Sequence, residues 1–241
     1  MTFAGKKKRI AYGPSIGVNE LTNKQKLFYR RMLKGYKAIG LREASAVRLL
    51  SECTDIELFN VLDPTFLLDK NQWLDALGDC PNPQFKYFLC YFVGTDNNAW
   101  ISDVLDIASN VGTKIINISS EGIIEDIPKD INVIEGAGVR EFINYIANAE
   151  CVFTDSFHAT AFSIIFNKEL LVYKRFLDTD KKSQNSRLYD VLNRFGLVDR
   201  LVSGDNAKSV LSKKIDYGII NNKLEIFRTD SIRFIEENIK E

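Results

Sequence analysis

The chain contains a single histidine, His158, so any imidazole-dependent proton transfer near neutral pH falls to it. It lies in the run Cys151-Val152-Phe153-Thr154-Asp155-Ser156-Phe157-His158-Ala159-Thr160-Ala161. An apolar strand there gives way to polar and aromatic positions, and small residues then open a helix. Backbone N–H groups at the start of such a helix favour anions. Asp155 or Ser156 can cap it, with Asp155 as a plain N-cap the simpler reading, and His158 stands in its first turn. From position alone a lone histidine is more often structural than catalytic. Its place at a strand-to-helix junction is what makes it a candidate for chemistry.

Two other segments follow strands. Arg42-Glu43 comes directly after Leu41, and a guanidinium there can clamp a carboxylate or phosphate with paired hydrogen bonds; as a lone arginine it would serve as a surface ion-pair partner. Ser15-Ile16-Gly17 is a glycine-containing turn after a short strand. It matches neither the dinucleotide-binding glycine fingerprint nor a P-loop. The four cysteines, Cys53, Cys80, Cys90 and Cys151, have no close pair and one histidine to join them, so no metal site is expected. Cys90 and Cys151 sit in apolar strands as small buried hydrophobes, which suits a reducing, cytoplasmic setting.

These residues need a scaffold that alternates strands and helices, and the pattern supplies one. Strands are expected at Arg9–Tyr12, Lys37–Leu41 and Ile56–Leu62, the last stopped by Asp63-Pro64 because proline supplies no ladder donor. A helix is expected from Thr22, with Leu27, Phe28, Met32 and Leu33 as its apolar face and Lys24, Lys26, Arg30 and Arg31 toward water. A second helix carries Ala46, Val47, Leu49 and Leu50, and Trp73, Leu74 and Leu77 form a short amphipathic turn. Residues 78–85, with Pro81 and Pro83, read as a linker. Beyond it come strands at Lys86–Val93, Lys114–Ile118, Ile131–Ile134, Cys151–Thr154 and Glu169–Tyr173. Helices are expected at Asn97–Val111, Val139–Ala149, Ser156–Phe166, Ser186–Phe195 and from Tyr217 to Glu241. The fold class is α/β, with parallel sheets and helices on both faces.

With 241 residues, 45% of them hydrophobic, the chain can bury a full core. Lys plus Arg and Asp plus Glu number 32 each, which argues against a general nucleic-acid binder and makes any anion site local. The basic run Lys6-Lys7-Lys8-Arg9 is a solvated end, compatible with peripheral contact at a membrane surface.

Taken together, Ile10–Gly17, Leu41-Arg42-Glu43 with Ser45, Val61–Leu68, Thr154–Ala159, Lys168–Tyr173, Asn185–Leu188 and Gly196–Arg200 resemble the polysaccharide pyruvyl transferases. As read here, the chain resembles the C-terminal two-thirds of a member. The resemblance implies two Rossmann-like lobes of the glycosyltransferase-B kind, the first incomplete: residues 1–77 a remnant of the N-terminal lobe, 86–216 the C-terminal lobe, and 217–241 a helix packing back on the first. It implies transfer of a pyruvyl group from phosphoenolpyruvate to a sugar, or to a lipid-linked glycan acceptor, as a ketal. That chemistry requires no cofactor. His158 then takes proton-transfer or phosphate contact, with Asp155 orienting its turn. Arg42 is an anion clamp, Arg187 a second cation, Asp63 shapes the crossover, and Ser15 and Gly17 border the donor. Many members have arginine where this chain has Ser156, so the Ser156 hydroxyl becomes a weaker substitute. A partial first sheet is expected to leave one apolar face uncovered and to promote self-association. The rival readings are a nucleotide-sugar glycosyltransferase of similar fold and a non-catalytic homologue that binds a glycan or partner.

Overall fold

The computed structural model describes residues 7–18, 20–94, 99–119, 128–177, 179–180, 183–202 and 206–240. Asn97 and Glu241, which the sequence reading placed in helices, lie outside them, as does Lys6.

The first lobe contains β1 (Arg9–Tyr12), α1 (Asn23–Met32), β2 (Tyr36–Leu41), α2 (Ala44–Ser51) and β3 (Leu58–Asn60). Its three strands are parallel, in the order β1-β2-β3. A 3-10 turn at Pro64–Leu67 and α3 (Lys70–Leu77) lead out of it.

The second lobe contains β4 (Tyr87–Tyr91), α4 (Ala99–Val111), β5 (Lys114–Ile118), β6 (Ile131–Ile134), α5 (Val139–Asn148), β7 (Cys151–Thr154), α6 (Phe157–Ile165) and β8 (Glu169–Val172). Then come α7 (Ser186–Phe195), a 3-10 turn at Val198–Arg200, α8 (Ala207–Ser212) and α9 (Tyr217–Ile239). Among the described residues its five strands are all parallel, in the order β6-β5-β4-β7-β8. The chain winds outward from β4 in one direction and from β7 in the other. The crevice beyond the carboxyl ends of these two neighbours is therefore the topological switch point, where open α/β sheets take their ligands.

Both faces of this sheet are apolar because it is covered on both sides. Leu89, Ile116, Val152 and Leu170 face α5, α6 and α7, while Phe88, Cys90, Phe153 and Leu171 face the α4 and α8 side. The thiols of Cys90 and Cys151 sit in that second layer, where burial raises the pKa of each.

Two expectations about the first lobe are corrected. Three of the four anticipated apolar positions of α1 are turned to solvent: Leu27 is 64%, Phe28 58% and Met32 37% exposed. Leu33 packs on the first-lobe core as expected, joined by Tyr29, and on that side Lys26 pairs with Glu52 while Arg30 donates to the Glu52 carbonyl. The expected uncovered sheet face is occupied as well. α9 lays Phe234 and Ile235 over Ala38, Val61, Ile10, Tyr12 and Phe59, while Leu21, Ala46 and Leu50 cover Ile39 and Leu41 on the other side. The strand expected over 56–62 is shorter, since Ile56 N–H donates to the Thr54 hydroxyl rather than to a neighbouring strand. Among the described residues no helix is long and apolar enough to cross a membrane.

Candidate active site

The junction of β7 and α6 is built by short-range hydrogen bonds. Thr154 Oγ1 donates to the Tyr91 carbonyl at 2.5 Å and accepts from Ser156 N–H at 3.0 Å, tying the end of β7 to β4. Ser156 is the N-cap of α6: its backbone is extended, and its hydroxyl accepts from Ala159 N–H at 3.5 Å. Asp155 is not the cap, which corrects the simpler reading of that residue. Its carboxylate instead accepts from Val93 and Gly94 N–H at 2.8 and 2.9 Å and receives Arg175 Nε at 3.3 Å. Asp155 therefore braces the loop after β4 and one guanidinium, at the switch point itself. From Ala159 to Ile165 α6 is wholly buried, so Phe157 and His158 are the side chains it presents outward.

From the other lobe, Arg42 follows β2. Its Nε donates to Glu43 Oε1 at 3.0 Å and its Nη1 to Asp63 Oδ2 at 2.5 Å, and the guanidinium lies 4.7 Å from the centroid of the Phe157 ring. The other Asp63 oxygen accepts from Thr65 N–H at 3.0 Å and the Thr65 hydroxyl at 2.8 Å, capping the Pro64–Leu67 turn. Asp63 thus shapes the crossover and holds Arg42 in place.

Arg187 stands in the first turn of α7. Gly17 has a φ of +53°, a region that favours glycine. A Cβ there would lie 2.6 Å from Arg187 Nη2, so the bare backbone is what lets this guanidinium rest against the first lobe. Among the described residues, Ser15 Oγ, Ser186 Oγ, Glu43 Oε2 and Arg187 Nε are buried without a hydrogen-bond partner. Such groups cost free energy until a ligand or water satisfies them.

The structure thus brings Arg42, Asp63, His158, Arg187 and Gly17 together at the lobe junction, with Asp155 and Ser156 in supporting positions. Sequence reasoning missed Arg175. A signal existed, since Arg175 follows the end of β8 by three positions, in the zone beyond strand ends where ligands gather.

Electrostatics follow from this crowding. Water reaches part of the His158 ring. The surrounding protein nevertheless disfavours its charged form, and Arg42 and Arg187 push the same way against the pull of Asp63, so its pKa lies below the ordinary 6.5. The imidazole is then neutral at pH 7, able to accept a proton. Burial, followed by the nearby Arg42, also lowers the Arg187 pKa, with Glu43 opposing and Arg175 adding to it. Among the described residues, no group of three His, Cys, Asp or Glu side chains could hold a metal ion.

A wider hollow, about 580 Å³, is elsewhere. It is lined by Lys86, Thr113, Glu150, Lys208 and Lys214 at the amino ends of β4, β5 and β7. It lies across the sheet from the switch point, and its carboxylates are already matched: Glu150 pairs with Lys86 and Glu169 with Arg200. The smaller clefts around Arg42, Phe157 and Arg187 are where the loops converge.

Against known families, the polysaccharide pyruvyl transferase pattern matches residues 1–174. The chain belongs to the polysaccharide pyruvyl transferase family. The match corrects the reading of the chain as the C-terminal two-thirds of a member. It falls on the N-terminal part of this chain, about 72% of it, and Asn185–Leu188 and Gly196–Arg200 lie outside it. No curated protein matches the chain.

Among solved structures, a protein described as a UDP-N-acetylglucosamine 2-epimerase from Listeria monocytogenes is 16% identical with a TM-score of 0.56, covering 95% of this chain and 64% of its own. A UDP-N-acetylglucosamine 2-epimerase from Rickettsia bellii is 14% identical with a TM-score of 0.52, over 98% of this chain and 69% of its own. The Neisseria meningitidis enzyme bound to UDP-GlcNAc is 11% identical with a TM-score of 0.50, over 85% and 60%. These likenesses establish the two-lobed, glycosyltransferase-B-like fold of this polysaccharide pyruvyl transferase family member. The chain spans less than two-thirds of the length of the Listeria and Neisseria proteins.

Proposed function

We propose that the protein holds phosphoenolpyruvate at the lobe junction and transfers its pyruvyl group to two hydroxyls of a sugar, forming a ketal and releasing phosphate. The observation that carries this reading is the meeting of Arg42 and Arg187 at the only histidine of a chain in this family, with Arg175 beside Arg187. A donor with a carboxylate and a phosphate needs such a concentration of fixed cations.

The proton accounting suits one imidazole. Neutral His158 takes the proton of the first sugar hydroxyl as its oxygen bonds to the enol carbon, and delivers a proton to the methylene, which becomes a methyl group. The resulting phosphate-bearing ketal loses phosphate. The second hydroxyl then attacks the same carbon, and its proton leaves with the phosphate. Guanidiniums stabilise the departing charge without reorganising, because Asp63 and Asp155 already fix two of them.

The test is direct. The purified chain is incubated with phosphoenolpyruvate and a panel of free and lipid-linked oligosaccharides, and released phosphate is measured beside the mass of the sugar product. Phosphate equal to ketal formed is the expected result. Nucleotide release from a nucleotide sugar, with none of this reaction, would instead favour a glycosyltransferase.

A further inference from the structure

We propose that Arg175, with Arg187, forms a carboxylate-binding subsite on the second-lobe side of the junction, distinct from the cleft around Arg42. The owner of that carboxylate, phosphoenolpyruvate, rests on the function proposed above. The subsite is a cavity of about 40 Å³ bounded by Asp155, Phe157, Arg175, Phe176, Asn185 and Arg187. A single water needs roughly 10–15 Å³ of such space, so this one admits a small planar group.

Its two cations are unequally committed. Arg175 spends its Nε on Asp155 Oδ2 at 3.3 Å and one Nη2 hydrogen on the Asp155 carbonyl at 3.4 Å, which fixes the guanidinium plane. Its Nη1 and the second Nη2 hydrogen remain for a ligand among the described residues. Arg187 has no carboxylate within ion-pair distance among the described residues, and its Nε is buried without a partner. Gly94 makes the Arg175 arrangement possible, because a Cβ there would meet Arg175 Cγ at 2.8 Å and Asp155 Oδ2 at 2.9 Å. Gly17 does the same for Arg187. Two guanidiniums brought together over apolar walls, with an unsatisfied donor on one, form a receptor for a planar anion that accepts from both forks.

The cavity favours carboxylate over phosphate by shape: in a space of about 40 Å³ between two guanidinium forks, a flat carboxylate fits where a tetrahedral phosphate is crowded. Arg187 borders both this cavity and the cleft around Arg42. Arg175 is thereby a donor-specificity residue that recognises what makes the substrate a phosphoenolpyruvate rather than another phosphate ester.

The experiment titrates the full chain with pyruvate, phosphoenolpyruvate and inorganic phosphate by calorimetry, for the wild type, Arg175→Gln and Arg175→Lys, with thermal melting to verify folding. Arg175→Gln is expected to weaken pyruvate and phosphoenolpyruvate by about tenfold, the scale of a lost charge-assisted contact, and to leave phosphate within about twofold. Arg175→Lys should recover part of the loss. The subsite is overturned if the wild type binds no pyruvate, if folded Arg175→Gln binds all three ligands as the wild type does, or if phosphate weakens equally. Turnover that persists without any Arg175 effect on phosphoenolpyruvate would remove the subsite and leave the function standing. Arg175-dependent pyruvate binding with no phosphate release would remove the function and leave the subsite.

Discussion

What His158 and Arg42 can do is set by the side chains around them. That Phe157 would carry the Arg42 guanidinium on its face, and that Asp63 would hold it from behind, depends on contacts between residues far apart in the chain. Replacing His158 by Gln should lower kcat by about 10²–10⁴-fold, the range of a lost general acid–base, with little change in thermal stability because the ring is partly exposed. The pH dependence has a definite sign. A base must be unprotonated, so kcat/KM rises with pH through the His158 pKa and is flat above it. Since burial and two arginines hold that pKa below 6.5, the acid limb should have its midpoint below 6.5 and should vanish in His158→Gln. Arg42→Lys keeps the charge but loses the fork that engages Glu43 and Asp63 together. It should raise KM for phosphoenolpyruvate about tenfold and lower the melting temperature, since two buried carboxylates lose paired donors. Arg175 follows β8 by three positions, a signal the sequence reading left unused because the loop carries no motif. Its role follows only from the Asp155 carboxylate that reaches it across the switch point.

Secondary-structure elements were easier to read than their facing. The parallel strands and long helices follow from apolar runs and helical periodicity, and the Thr22 capping box marks the start of α1. The short Pro64–Leu67 turn and α8 were not anticipated, since four to six residues carry too little periodicity to register. The inverted facing of α1 was illegible for another reason: Leu27, Phe28 and Met32 outnumber the apolar residues on the packed side, but Lys26 and Arg30 find partners on Glu52. The role of α9 is testable. Phe234 is buried against Phe59, with ring centroids 5.0 Å apart, and Tyr12 at 6.1 Å. Phe234→Ala should destabilise the protein by about 3–5 kcal/mol, as for other buried Phe truncations, read as a lower midpoint in urea. An unchanged midpoint would mean that α9 contributes nothing to the first sheet.

In the molecule as a whole, the two lobes share a core. Leu62 and Phe66 from the crossover pack in the same cluster as Leu89, Val152 and Phe195. Ser45 donates to Asp190 across the junction, and Arg194 Nη1 donates to the Val61 carbonyl at 2.9 Å. The lobes should therefore melt together, in one calorimetric transition whose van't Hoff and calorimetric enthalpies agree; two resolved transitions would show that the junction is weaker than its contacts imply. A junction this closely knit is also what brings guanidiniums from both lobes to one histidine, and the central claim is that this meeting protonates an enol and builds a ketal. The measurement that tests it most directly is the reaction in deuterium oxide, with the methyl group of the sugar-bound product read by mass spectrometry and proton NMR. One solvent deuterium is expected in each newly formed methyl group, appearing with phosphate release and lost in His158→Gln. A sugar product whose mass gain corresponds to no pyruvate ketal, or phosphate release that His158→Gln leaves intact, would contradict it.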